Sequence, residues 1–293
     1  MVSDCRVTFS QGSHETHRDT VQKLVAITPT TAIGFVGDLK IATTLLVRML
    51  KQGGKKRTDP FSLLSWFHRC FRHHYAQLNR SDYVAFMVGS VVPGRPNVIE
   101  KEAVVKLVNR VAFGNPSVKR NWLPGLPFQI LQVPGPLVLL GDAPLGILYI
   151  MDSPDFAPRF FKPLDYVAIG SGEGVVHHID GIHDMIFAGE MGGGHMEAMW
   201  LTTSIHAFLK EKDVSSVGGM FTMLKLTDKG IMHLGHETGA MPNGPFFELA
   251  FENDRWVQKN LTTGKEIKLL LPWELNLNET NERVFDDNRF GFF

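Results

Sequence analysis

Cysteine is scarce in this chain: Cys5 and Cys70 are the only two among 293 residues. Two isolated cysteines make neither a disulfide framework nor a zinc-ligand pattern. A reducing, cytoplasmic setting is therefore expected. Net charge is absent as well, since 30 Lys and Arg balance 30 Asp and Glu. Without a basic excess, neither nucleic acid nor an anionic membrane is an expected partner. No apolar run reaches the roughly 18 residues that a membrane helix needs. The opening MVSDCRVTFS lacks the basic-then-apolar order of a signal peptide.

Several motifs are missing too. There is no G-x-x-x-x-G-K-[ST], no early G-x-G-x-x-G in a βαβ unit and no H-E-x-x-H. The twelve histidines cluster at HETH (14–17), FRHHY (71–75), VHHIDGIHD (176–184) and GGGHMEAMW (192–200). Adjacent histidines on a helix face different ways, and two isolated cysteines make no zinc-ligand pattern with them. No metal and no cofactor is implied.

What is present is a chain able to build a core, with 44% hydrophobic and 20% charged residues. Residues 1–10 read as the end of a strand, and QGSHETHR (11–18) as a polar loop. Thr20–Ala26 and Thr31–Val36 are β-rich runs joined by a turn at Thr28-Pro29. Asp38 stands where an N-cap belongs, before apolar residues at helical spacing: Leu39, Ala42, Leu45, Leu46, Met49 and Leu50. A second helix, about Pro60–Asn79, opens with proline at its first position. Its aromatics (Phe61, Trp66, Phe67, Phe71, Tyr75) read as core or interface. Tyr83–Val92, Leu145–Asp152 and Tyr166–Gly170 read as buried strands, and Pro93–Pro144 as a proline- and glycine-rich insertion. Glu173–Phe187 and Met196–Lys212 read as helices. Gly218–Leu226 and Gly230–His236 read as a hairpin, and Pro242–Phe293 as a mixed tail. Strands and paired helices come in groups, without βαβα alternation, which suits two antiparallel sheets stacked between helix layers.

DYVAIGSGEGVV (165–176) takes an apolar strand into a serine flanked by glycines. No lysine follows, so a phosphate loop does not fit. Ile169 stands two residues before Ser171, so the G-x-S-x-G nucleophile elbow fails. Four stretches together resemble the proteasome β-subunit family of N-terminal-nucleophile hydrolases, bacterial relatives included. VSDCR (2–6) is similar to its V/A-x-D-x-R segment, and DTVQKLVAITPTTAIGFVGD (19–38) to its T-V-x-K strand and G-F-x-G helix entry. DYVAIGSGEGVV resembles its A-I-G-S-G turn. KDVSSVGGMFTMLKLTDKGIMHLGHE (212–237) resembles its D-x-x-S-G-G strand pair, with Val217 inserted before the glycines. The stretches occur in the family's order and span about two-thirds of the chain; the insertion and the tail lie outside.

The resemblance implies an α+β fold, a four-layer αββα sandwich formed by residues 1–241, with 242–293 as a C-terminal extension. It implies a threonine-type peptidase or amidohydrolase subunit in a homo-oligomeric ring. Peptide or protein would be the substrate, and an ATPase is a partner the resemblance allows. A relative that transfers the acyl group to amines instead of water falls within the same resemblance. By position, Lys23 is the lysine that lowers the nucleophile's pKa and Asp4 its carboxylate. Ser171, Asp213 and Ser216 surround the α-amine, and the Gly37 backbone N–H points into the oxyanion hole. Taken singly, Lys23 reads as a solvated strand lysine, and Asp4 and Asp213 as caps or turn residues.

One departure stands out. The family's nucleophile lies a strand upstream of the Asp4 position, whereas only Met1, Val2 and Ser3 precede Asp4 here. The expectation is that the nucleophile strand is missing from this sequence and that this polypeptide lacks peptidase activity. Three explanations stay open: a true start further upstream, a non-catalytic scaffold or interaction subunit, or another nucleophile, such as Ser3 or Cys5, after trimming.

Overall fold

The computed structural model describes residues 1–11, 14–52, 60–78, 81–92, 98–100, 136–138, 145–161, 167–170, 205, 208–209, 211–212, 221–227, 229–234, 236–239 and 246–274. The chain divides into two compact units. The first takes residue 1, Leu24–Glu173 and Leu224–Met232; the second takes Val2–Lys23, Gly174–Met223 and His233–Phe293.

The chain opens with short strands β1 (Val2–Asp4), β2 (Val7–Gln11) and β3 (His14–Arg18), then β4 (Leu24–Thr28) and β5 (Thr31–Gly37). Helices α1 (Leu39–Lys51) and α2 (Pro60–Leu78) follow, then β6 (Val84–Val92), β7 (Val98–Glu100), β8 (Pro136–Val138), β9 (Leu145–Asp152) and β10 (Arg159–Phe161). Strands β11 (Phe221–Thr227), β12 (Gly230–His233), β13 (His236–Gly239), β14 (Phe246–Glu252), β15 (Arg255–Asn260) and β16 (Glu266–Lys268) complete the order.

The first unit is built on a five-stranded antiparallel sheet, β10-β9-β6-β5-β4. Thr31 to Phe35 of β5 are all buried, on both faces. That is why TAIGFVG is continuously apolar and does not alternate: a strand covered on both sides has no solvent face. One face carries Phe35, Phe86 and Met151 in register, with Ile33, Val88 and Tyr149 beside them. Helix α2 packs here, burying Leu63, Leu64, Phe67, Cys70, Phe71, His74 and Tyr75, a stripe at helical spacing. Phe71 stacks on Phe86 at 4.2 Å between ring centroids, and Phe67 and Phe156 each lie 5.8 Å from Phe71. Phe156 holds a left-handed backbone (φ 51°), a strain on the order of 1–3 kcal/mol that its complete burial among these rings offsets. The opposite face mixes small residues, Ala32, Gly34, Ala85 and Gly89, with Val36, Met87, Leu148 and Ile150. The Met1 sulfur fills the space a Cβ on Gly89 would occupy.

Helix α1 begins as its sequence dictates. The Asp38 carboxylate accepts from Ile41 N–H at 2.7 Å, satisfying one of the orphan donors of the first turn. Arg48 and Lys51 in the last turn complement the dipole.

In the second unit β1 pairs with β11, placing Ser3 opposite Thr222 and Asp4 opposite Phe221. Strands β2 and β3 form a hairpin, Val7 opposite Arg18. Strands β13 to β16 form an antiparallel meander. Asn253 and Asp254 both take left-handed conformations in the tight β14–β15 turn, as residues tolerant of positive φ do. Trp256 and Leu269 are fully buried. His233 stacks on Phe251 and meets Trp256 edge-on at 5.6 Å.

The expected four-layer αββα sandwich is corrected by this architecture. The described residues are mostly β, and only α1 and α2 are continuous helices, both packed on one sheet. The helix expected at 173–187 lies outside the described residues. Of 196–212, residues Ile205, Phe208, Leu209, Glu211 and Lys212 are described, all in helical conformation. Two local expectations also change. Within QGSHETHR, Gln11 and His14–Arg18 lie in strands rather than in a loop, and the mixed tail contains β14 to β16 of the meander. Residues 167–169, expected in a strand, are not in one, and Gly170 turns with φ 72°. No described helix is long and apolar enough to cross a membrane.

Two measurements check the packing. Phe71→Ala removes the ring shared by Phe67, Phe86 and Phe156 and is expected to cost about 3–5 kcal/mol in urea unfolding. Burial pushes the His233 pKa from 6.5 down to about 4, with the Asp254 carboxylate opposing. The folded state thus favours neutral imidazole. That contribution is whole above pH 6.5 and is lost as pH falls toward 4. The urea midpoint should drop across this window, and less steeply in His233→Phe.

Candidate functional site

Two of the six sequence candidates meet directly. Lys23 Nζ donates to Asp4 Oδ1 at 2.5 Å, with side-chain exposures of 15% and 10%. Lys23 is therefore no solvated strand lysine. Its neighbours explain why it is held. Val21 N–H donates to the Cys5 carbonyl at 3.2 Å, Gln22 N–H to that of Leu270 at 2.8 Å, and Leu270 N–H to that of Thr20 at 2.8 Å. The segment that carries Lys23 is thus clasped from two sides before β4 begins. Asp4 ends β1, which Thr222 secures through a hydroxyl bond to the Ser3 carbonyl at 3.2 Å.

A second ion pair lies alongside. Arg6 reaches Asp19 with two bonds, Nε to Oδ1 at 2.7 Å and Nη2 to Oδ2 at 2.9 Å. The Cys5 thiol donates to the Asp19 carbonyl at 3.1 Å. The Asp19 hydrogen bond holds the Arg6 pKa above its usual value against the cost of burial, and the Asp4 charge adds to this. Two ion pairs, Lys23–Asp4 and Arg6–Asp19, thus lie within residues 4–23. Arg6 and Asp19 were missed as candidates although both fall inside the motif stretches 2–6 and 19–38. Their signal was the arginine two positions after Asp4 and the aspartate four before Lys23.

Gly37 belongs to the first unit. It has φ 93°, and a Cβ there would lie 2.2 Å from the Tyr83 carbonyl oxygen, so no other residue fits without rearrangement. The next amide, Asp38 N–H, donates to that same oxygen at 2.9 Å. Gly170 lies against Val36, where a Cβ would approach to 3.1 Å. Ser171, Asp213 and Ser216 lie outside the described residues.

The two alternative nucleophiles look poorly placed. Cys5 is fully buried with its thiol engaged, and the Ser3 hydroxyl is bonded to the Asp4 carbonyl at 3.0 Å. Among the described residues no group of three or more His, Cys, Asp or Glu is arranged to hold a metal ion. No family model matches this chain, and no curated protein matches it.

Chemically, the Lys23–Asp4 pair is a fixed, largely desolvated ammonium. Such a charge lowers the pKa of an adjacent hydroxyl or thiol and favours negative charge developing there. The pair is also energetically demanding. Lys23→Met strands the Asp4 carboxylate and is expected to destabilise by on the order of 3 kcal/mol, whereas Lys23→Met with Asp4→Leu removes both charges and should cost less than either single change. Urea unfolding of the three variants measures this.

Proposed function

We propose that the chain is a subunit of a peptidase or amidohydrolase of the N-terminal-nucleophile kind, similar to proteasome β subunits, working in the cytoplasm. The Lys23–Asp4 ion pair is the observation that carries this reading. It unites the lysine of a T-V-x-K segment with the aspartate of a V-x-D-x-R segment across an intervening hairpin. The support comes from this local chemistry and the ordered motifs, not from the architecture.

In the proposed reaction an N-terminal threonine, serine or cysteine on a strand preceding Asp4 attacks the amide carbonyl. Its proton passes to the free α-amine, whose pKa near 8 suits it to that task. Lys23, held by Asp4, stabilises the nucleophile's developing negative charge. The amine leaves with a proton, and water then cleaves the acyl-enzyme and regenerates the nucleophile. Assembly into a homo-oligomeric ring belongs to the same proposal.

The native protein from its own cell provides the test. The expected result is a mature N-terminal Thr, Ser or Cys upstream of Asp4 and turnover of fluorogenic peptides. Lys23→Ala in that full-length protein should lower kcat at least ~100-fold, the usual loss when preorganised charge stabilisation is removed. A mature N-terminus without a nucleophile, or unchanged turnover in Lys23→Ala, overturns the proposal and leaves a non-catalytic interaction subunit.

A further inference from the structure

Asp4 has two cations within its electrostatic reach, Lys23 and Arg6, and it contacts Lys23. Arg6 is occupied elsewhere, its planar fork matched to both oxygens of Asp19. We propose that Arg6 and Asp19 are positioning residues for the Lys23–Asp4 pair. Asp19 sequesters the guanidinium that would otherwise compete for Asp4, and the two-point bond holds segment 4–6 against segment 19–23.

Besides the Lys23–Asp4 bond, those segments are joined by the Arg6–Asp19 fork, by the Cys5 thiol to the Asp19 carbonyl, and by Val21 N–H to the Cys5 carbonyl. All lie within two residues of Asp4 or four of Lys23. Between them the chain makes only the β2–β3 hairpin, so these contacts set how the two ends of that excursion meet. The fork is the one contact among the three whose loss also frees charges. Removing the Asp19 charge liberates a guanidinium next to Asp4; removing the Arg6 charge liberates a carboxylate that can draw Lys23 away. Removing both leaves two neutral amides able to hydrogen-bond each other, with neither the Arg6 nor the Asp19 charge left to compete for the pair.

This pattern separates electrostatic sequestration from a merely structural tether, because a tether predicts that the double variant is no better than the singles. The role in catalysis rests on the hydrolase reading above; the effect on the pair does not. The experiment is competitive acetylation of the folded 1–293 chain, read by mass spectrometry as the labelling rate of Lys23 relative to the exposed Lys229. Asp19→Asn and Arg6→Gln are each expected to raise Lys23 labelling roughly fivefold, a coupling of the size seen between groups sharing one network, and Arg6→Gln with Asp19→Asn should return it close to wild type. Unchanged labelling in both singles, or a double variant labelled as fast as the singles, overturns the proposal. Arg6→Lys, which keeps the charge and loses the fork, guards against misfolding of the stronger variants. It should label Lys23 at an intermediate rate, and a wild-type rate would count against the fork. In the full-length native protein, kcat should fall in Asp19→Asn and recover in the double variant. Labelling that follows the expected pattern without any such change in turnover would sink the hydrolase reading while leaving the positioning role intact.

Discussion

Burial on both faces is the constraint from which the first unit follows. A strand such as β5, with Ala32 and Ile33 at zero exposure on opposite sides, has no water available to its backbone. Its N–H and C=O groups must find neighbouring strands, and β6 supplies them along its length while β4 supplies them over Thr31–Gly34. Neighbour β6 is itself flanked by β9. The two covers differ. Helix α2 contributes aromatic bulk, so the residues beneath it are large: Phe86, Met151 and Tyr149. On the other face Gly89 is approached closely by the Met1 sulfur, which leaves no room for a Cβ there. The exit from this strand must be abrupt, because it leads into a helix over the same sheet. Gly37 makes the turn against the Tyr83 carbonyl, and Asp38 at once caps the helix.

The same scarcity of water governs the charged cluster of the second unit. A carboxylate at one-tenth exposure remains ionised only beside a cation. With two acids and two bases present, several pairings are conceivable, and side-chain shape selects among them. The rigid fork of arginine fits both oxygens of one carboxylate, so Arg6 takes Asp19; the compact ammonium of Lys23 makes a single short contact with Asp4. The result is formally neutral yet locally polarised, with its dipoles fixed by the fold.

Where the chain carries strong local rules, its sequence was readable. Proline at the start of α2, Asp38 before α1 and the continuous apolar runs of β5, β6 and β9 were legible because capping and double burial leave a direct mark on composition. The β2–β3 hairpin was not, because HETHR has no apolar alternation to betray a strand. The meander of β14 to β16 was obscured by irregular alternation in FFELAFE and RWVQKN. The four-layer architecture was read both from the grouping of strands and paired helices and from the resemblance, and it did not survive, because grouping fixes neither how many helices form nor which sheet they cover. The Lys23–Asp4 contact lies between: no period or propensity pairs residues 19 apart, and only motif order suggested it. Arg6 and Asp19 went unassigned although each stands inside a motif stretch, because no period or propensity pairs residues 13 apart.

Architecture and chemistry are separable questions, and a function resides in a site rather than in a fold. The energetic character of the cluster bears on which kind of function is involved. Ion pairs out of water contribute little to net stability, and apolar residues of similar volume often serve as well or better. A purely structural subunit could join residues 4–6 to 19–23 with hydrophobic contacts, as Cys5 and Val21 at zero exposure already do beside them. Placing Asp4 and Lys23 at 10% and 15% exposure, with a second ion pair alongside, therefore incurs desolvation that folding alone does not require. The proposed hydrolase would draw on that cost, because a lysine that must stabilise developing charge works best when it is already desolvated and oriented.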